Sequence, residues 1–153
     1  MKEGLELKAA VLKECFRRLV AQLTTIESSM NAIRESKSSE TKSSAGDKFE
    51  TGRAMLQLEE NNLKQQLAAA LGTRQLLTQA ERQPTGGTIA IGSLVAMDKG
   101  LYFVSAGFGK VSVNGRDVFC TSPESPIGRR LIGKGVGEAF LFNEVRFVVL
   151  GFV

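Results

Sequence analysis

Apolar residues recur every seven positions through the first part of the chain. Leu5, Leu12, Leu19, Ile26 and Ile33 form one series, and Ala9, Phe16, Leu23 and Met30 fall four places after its first four members. This is an a/d seam over about four heptads, and it predicts one arm of a coiled coil. No proline occurs from Met1 to Gln83, and Gly4 stands only at the start of the arm. At about 1.5 Å per residue, an arm from Glu3 to Ser36 spans roughly 50 Å, too long for the core of a small globule. The run from Glu35 to Gly46 is rich in serine and lysine and has no apolar period, so it predicts a loop. That loop is longer than the roughly 2–8 residues usual between packed helices.

From Asp47 to Arg82 the seven-residue spacing returns in Phe49, Leu56, Leu63, Ala70 and Leu77, supported by Leu67 and Leu71. Arg53, Glu60 and Arg74 interrupt the companion positions. The two arms are expected to pack antiparallel as one helical hairpin. Gln83-Pro84-Thr85-Gly86-Gly87 then ends the second arm, placing a domain boundary between 1–83 and 84–153. Beyond it the texture is that of short strands. Thr88–Met97, Leu101–Ser105, Lys110–Val113 and Asp117–Thr121 are β-rich runs, and Asn114-Gly115 is a hairpin-turn signal. Pro126–Gly133 reads as one short helix, with proline near its start and glycine at its end. Two further strands are expected at Glu138–Phe142 and Glu144–Phe152. The fold class is therefore α+β: a coiled-coil hairpin, then a small antiparallel sheet domain with one short helix.

Composition narrows the chemistry. Of 153 residues, 42% are hydrophobic and 24% charged, the balance of a soluble globular protein. A net charge of +4 tolerates a nucleic-acid neighbour without arguing for one. No apolar run reaches the roughly 18 residues that span a bilayer, and MKEGLELK lacks a signal-peptide core, so a cytoplasmic location is expected. Cys15 and Cys120 lie far apart in segments of different character and read as two buried or semi-buried thiols. The absence of histidine removes His-based acid–base catalysis, the common nucleophile triads and the usual zinc sites. Any chemistry falls to carboxylates, basic side chains or a borrowed metal.

The carboxylates that stand out are Asp47 and Glu50, in Ser43-Ser44-Ala45-Gly46-Asp47-Lys48-Phe49-Glu50. Three residues apart, they share one face of a starting helix. One reading makes them a capping box, with Asp47 as N-cap. The other makes them a carboxylate pair at the tip of the hairpin, delivered into a partner. Arg34, Lys37, Lys42, Lys48 and Arg53 surround them, either as contacts for RNA phosphates or as plain surface charge. Arg129, Arg130 and Lys134 offer a similar choice between a basic docking edge and solvated helix charge.

Ser125-Pro126-Ile127-Gly128-Arg129-Arg130-Leu131-Ile132-Gly133-Lys134-Gly135-Val136-Gly137-Glu138 resembles the Ser-Pro-Ile-Ala-Arg-x-Leu-Ile-Gly-Lys-x-x-Gly-Asp signature of the bacterial Gre transcript cleavage factors. Gly46-Asp47-Lys48-Phe49-Glu50 fits the first part of their tip motif, Gly-Asp-x-x-Glu. The second part departs, with Thr51-Gly52-Arg53-Ala54 where Gre factors carry Asn-Ala-acid-Tyr. The resemblance implies an FKBP-like C-terminal domain and binding to bacterial RNA polymerase. It further implies that the coiled-coil tip enters the secondary channel and stimulates cleavage of backtracked RNA. Asp47 and Glu50 would then be the catalytic and metal-contacting acids, helping to hold an Mg²⁺ shared with the polymerase, next to the nascent RNA. On that reading the chain is a monomeric cofactor of the polymerase's own cleavage and not an enzyme alone. Two alternatives stay open: a Gre-like channel regulator or inhibitor without cleavage stimulation, and a coiled-coil interaction protein unrelated to polymerase.

Overall fold

The first helix, α1, runs from Lys2 to Lys42 and so continues past the expected end at Ser36. The computed structural model describes the backbone of residues 2–42 and 46–153, and the side chains of all of these except 40–50. The Ser/Lys-rich run expected as a loop is thus helical as far as Lys42. Serine and lysine lack an apolar period, but each costs a helix interior at most about 0.7 kcal/mol relative to alanine. No glycine or proline intervenes before Gly46 to stop the helix. The second helix, α2, occupies Gly46–Ala80. With only residues 43–45 between them, two helices in lateral contact must run antiparallel.

Compactness divides the chain into two units, Leu19–Gly72 and Met1–Arg18 with Thr73–Val153. In Leu19–Gly72 the heptad seam holds. Leu19, Ile26 and Ile33 are buried, with Leu23 and Met30 half-buried between them. Opposite them, α2 contributes half-buried Leu56, Leu63 and Leu67 and buried Ala70.

In the other unit the stripe on α1 is different. Leu7, Val11 and Cys15 are buried, whereas Leu5 and Ala9, expected on the seam, are exposed. The cause is a second partner for these turns. Gly4 lies so close to Val153 that an added Cβ would come within 3.3 Å of a Val153 methyl. The Lys8 ammonium donates to Gln83 Oε1 at 3.1 Å and to the Val153 carbonyl at 3.4 Å. A helix lying on a sheet buries a stripe set by its natural 3.6-residue period, not by the 3.5-residue period of a coiled coil.

Among the described residues the remaining elements are six strands and one short helix. They are β1 (Leu94–Met97), β2 (Gly100–Val104), β3 (Gly109–Val113), β4 (Arg116–Thr121), α3 (Pro126–Leu131), β5 (Ala139–Phe142) and β6 (Val145–Phe152). Thr88–Ser93, expected as the start of β1, is not a strand. Gly92 has φ 93° and lies so close to the Ala80 and Arg82 carbonyls that a Cβ there would meet them at 3.0 and 2.9 Å. Ile89 is tied elsewhere, its N–H donating to the Lys134 carbonyl and its carbonyl accepting from the Gly133 N–H, both at 2.8 Å.

The sheet order is β3-β4-β2-β1-β6-β5. It is mixed, which corrects the expected antiparallel sheet. β2 and β4 run parallel, with Tyr102 opposite Phe119, and the other neighbouring pairs are antiparallel. β3 forms a hairpin with β4 yet takes the edge. It buries only Val111, whereas β4 buries Val118, Cys120 and Thr121. The more apolar strand occupies the interior of the sheet because it has more to gain from cover on its faces.

One sheet face carries Val95, Met97, Val104, Phe147 and Val149, packed with Ile89, Phe140 and Leu131 of α3. On this side Tyr102 stacks on Phe119 at 5.3 Å, and Phe140 on Phe147 at 5.5 Å. The opposite face buries Phe103, Val111, Val118 and Cys120, and there the Cys120 sulfur lies 3.7 Å from that of Cys15 on α1.

Two hairpin turns place both central residues at positive φ. Asn114 (51°) and Gly115 (75°) match the sequence signal, while Asn143 (50°) is followed by Glu144 at 66°. A left-handed conformation costs a non-glycine residue roughly 1–2 kcal/mol, and glycine returns about 0.5–1 of this through its freer unfolded chain. Glu144→Gly is therefore expected to stabilise the protein by about 0.5–1 kcal/mol, raising the thermal midpoint by on the order of 2 °C. A lowered midpoint in thermal unfolding would show that the Glu144 side chain, not its backbone, matters more.

Candidate functional site

The tip acids sit at the start of α2. The helix begins at Gly46, so Asp47 stands in its first turn instead of at the cap, and Glu50 follows one turn later. The helical backbone alone sets both on one face, where carboxylates complement the unpaired N–H groups of a helix start. The side chains of Asp47, Phe49 and Glu50, and of Lys42 and Lys48, lie outside the described residues.

The described neighbours of this region divide by role. Lys37 belongs to the helix–helix seam. It follows Ile33 by four residues, and its Nζ donates to Gln57 Oε1 at 3.0 Å and to the Glu60 carboxylate. Lys64 reaches the other Glu60 oxygen at 3.1 Å. Glu60 was one of the charged residues interrupting the apolar series on α2, and these two ammonium groups explain how the seam accepts it. Hydrogen bonds from Lys37, then from Lys64, hold the Glu60 carboxyl below the usual carboxylate range. Arg34 donates to Asn31 Oδ1 at 3.2 Å on the exposed side of its own helix, and Arg53 is exposed. Beside the seam runs an open groove of about 470 Å³. Ala32, Ile33, Leu56 and Leu63 give it an apolar floor, and Ser29, Ser36, Glu59, Asn62 and Gln66 a polar rim.

The Lys37–Glu60–Lys64 cluster makes a prediction about pH. Because the folded pKa of Glu60 is depressed, its contribution to stability is fully present above the unfolded value near 4.5 and is lost as pH falls through the folded value. Acid unfolding followed by helical circular dichroism is expected to show a steeper loss below that pH in wild type than in Glu60→Gln. Identical acid limbs would remove the cluster from the stability of the seam.

In the C-terminal motif the side chains have structural work of their own. Ser125 caps α3, its Oγ accepting from the Gly128 N–H at 3.0 Å and donating to the Ser122 carbonyl at 2.8 Å. Ile127 and Leu131 pack into the core, and Gly133, at φ 85°, turns the chain after the helix. Glu138 accepts a hydrogen bond from the Gly135 N–H, and the Lys134 ammonium lies 5.9 Å from the Phe140 ring centroid. Arg129 and Arg130 are exposed. Arg129 also lines a largely apolar groove of about 440 Å³ with Gln79, Ala90, Ile91, Pro123 and Ile132. Gly128 occupies the place where the Gre signature has alanine. A Cβ there would lie 2.0 Å from the Ser122 carbonyl oxygen, so the tight Ser122–Ser125 turn requires glycine.

Two features escaped the sequence reading. Cys15 and Cys120 are buried as expected, but they meet, and no periodicity links positions so far apart. Lys8 is 6% exposed, and burial lowers its ammonium pKa. Its place in the 7–8–11–15 stripe was hidden by the stronger heptad series. Among the described residues, no three or more His, Cys, Asp or Glu come together as a metal-binding group, and no helix is long and apolar enough to cross a membrane. No protein-family model matches the sequence, and no curated protein is similar enough to match it.

Proposed function

We propose that this chain is a Gre-type transcription factor that binds bacterial RNA polymerase and promotes cleavage of backtracked RNA. The observation that carries the reading is a combination within one chain. Gly46-Asp47-Lys48-Phe49-Glu50 opens the second of two paired long helices, and the Gre-like Ser125–Glu138 motif builds α3 and the turn after it. The C-terminal α+β domain, FKBP-like on this reading, would dock on polymerase, and the helical hairpin would enter the secondary channel.

Asp and Glu carboxylates are the hard oxygen donors that Mg²⁺ takes, and a pair of them leaves room for waters and further ligands. Asp47 and Glu50 would therefore help to hold an ion otherwise bound by the polymerase, Asp47 by direct contact and Glu50 by holding the ion or orienting a water. When bound, a second metal stabilises charge on the attacking and leaving oxygens of phosphodiester hydrolysis. Two acids at the start of one helix make a poor metal site alone, so the chain acts as a cofactor of polymerase and not as an enzyme. A monomer in the cytoplasm fits this role, since the hairpin satisfies its own seam.

One observation favours a second reading, a channel regulator that does not stimulate cleavage. Gre tips carry an acid and an aromatic residue after the Glu, whereas this chain has Arg53, exposed, and Ala54. A cation in that place weakens the hold of the tip on a divalent ion. The deciding experiment is transcript cleavage by a stalled, backtracked polymerase with and without the protein. Stimulated cleavage supports the first reading; binding that slows the polymerase's intrinsic cleavage supports the second; no binding to polymerase overturns both.

A further inference from the structure

Cys15 on α1 and Cys120 on β4 are separated by 105 positions in the chain, yet their sulfurs stand 3.7 Å apart and share a hydrogen bond. Both belong to the same compact unit. They are 0% and 2% exposed. Two unrelated core thiols have no reason to point at each other, because each could fill its space against methyl groups. We propose that Cys15 and Cys120 form a reversible intramolecular disulfide when the protein meets a small peroxide, fastening the first turns of α1 to the sheet. Closing the pair from 3.7 Å to a disulfide length of about 2.05 Å needs an approach of roughly 1.7 Å, which two χ1 adjustments can share.

The local chemistry assigns the order of events. The hydrogen bond from Cys120 is the largest influence on Cys15 and, with the smaller help of the Arg18 guanidinium, favours the thiolate there against burial and the Glu14 carboxylate. The same hydrogen bond and burial keep Cys120 protonated. The Cys15 sulfur attacks one oxygen of hydrogen peroxide and the O–O bond breaks. The departing hydroxide leaves as water with the proton that Cys15 gave up, and Cys15 becomes a sulfenic acid. The Cys120 sulfur then attacks the Cys15 sulfur. The S–O bond breaks, and a second water leaves with the Cys120 proton. Two thiols and one peroxide thus become one disulfide and two waters. An external dithiol reverses the step by exchange. Hydrogen peroxide, uncharged and scarcely larger than water, suits so closed a site.

The test uses the full chain, reduced and freed of reductant, then exposed to hydrogen peroxide under native conditions. It is next denatured, treated with a maleimide and weighed intact. The expected product is a monomer lighter by two hydrogens, carrying no maleimide, with one peptide that joins Cys15 to Cys120. Treatment with dithiothreitol should restore two reactive thiols. In Cys120→Ser the reaction should stop with one added oxygen on Cys15, trapped by dimedone. The proposal is overturned if both thiols of the wild-type chain remain open to maleimide under conditions that oxidise free cysteine. It is equally overturned if bridges form only between chains or only after unfolding. The wild-type readout does not depend on any variant folding.

Discussion

On the proposed cleavage-factor function, replacing Asp47 by asparagine and Glu50 by glutamine together is expected to leave polymerase binding intact and to lower transcript cleavage by at least about tenfold. Both substitutions keep side-chain shape and leave the helical backbone of the first turns of α2 unchanged. What they remove is negative charge on one face of the first turns of α2. If the acids serve only the helix end, each substitution costs about 0.3–1 kcal/mol of stability and cleavage is untouched. If they help to retain a divalent ion, extra Mg²⁺ should restore part of the lost rate, since mass action offsets a weakened site. The measurement compares wild type, both single variants and the double variant on a stalled complex with an extruded RNA 3′ end. Wild-type cleavage by the double variant would take Asp47 and Glu50 out of the mechanism. A wild-type chain that binds without stimulating cleavage would instead select the regulator reading.

Gly128→Ala is expected to be strongly destabilising although it adds only one methyl group. At an ordinary helical site, glycine to alanine stabilises by about 1 kcal/mol. Here the new Cβ would sit 2.0 Å from the Ser122 carbonyl oxygen and 2.9 Å from Ser125 Oγ. Making room requires opening the turn in which Ser125 bonds Ser122 and caps α3. The expected cost is about 2–3 kcal/mol, from overpacking together with a weakened cap, or a fall of roughly 5–10 °C in the thermal midpoint. Ser125→Ala, which removes the cap without adding bulk, should cost only about 1 kcal/mol. Thermal unfolding of the two variants side by side separates the effects. A neutral or stabilising Gly128→Ala would mean that the turn relaxes freely and that glycine is not required there.

The candidate site was partly legible before any fold was known. That Asp47 and Glu50 share a helix face follows from their spacing once a helix is granted. The role of Lys37 did not follow. It looked like one more cation near the tip, but it is spent on Glu60 and Gln57 across the seam. Its reach depends on how the two helices are registered, and the charge pattern of either helix alone does not contain that register. The Gre-like motif showed a similar split. Its proline and glycines announced a short helix, while the requirement for glycine at 128 arises from a carbonyl six residues earlier that folds back onto the helix.

What the sequence by itself determined were features that depend on near neighbours. Seven-residue spacing dictated two long helices, apolar runs between turn residues dictated the strands, and Asn114-Gly115 dictated a tight hairpin turn. Each rests on backbone geometry repeated within a few residues, so a single chain carries the full signal. The continuation of α1 to Lys42 was missed because loss of an apolar period marks loss of a buried face, not loss of a helix. Tertiary structure alone decided the rest. It chose Leu7, Val11 and Cys15 over Leu5 and Ala9 as the buried stripe, because the sheet domain is a second partner for those turns. It laid β4 parallel to β2 and sent β3 to the edge. It brought Cys15 against Cys120. Each of these is a choice of partner between distant segments, governed by which faces bury the most apolar area together, and that sum is defined only once the chain has folded.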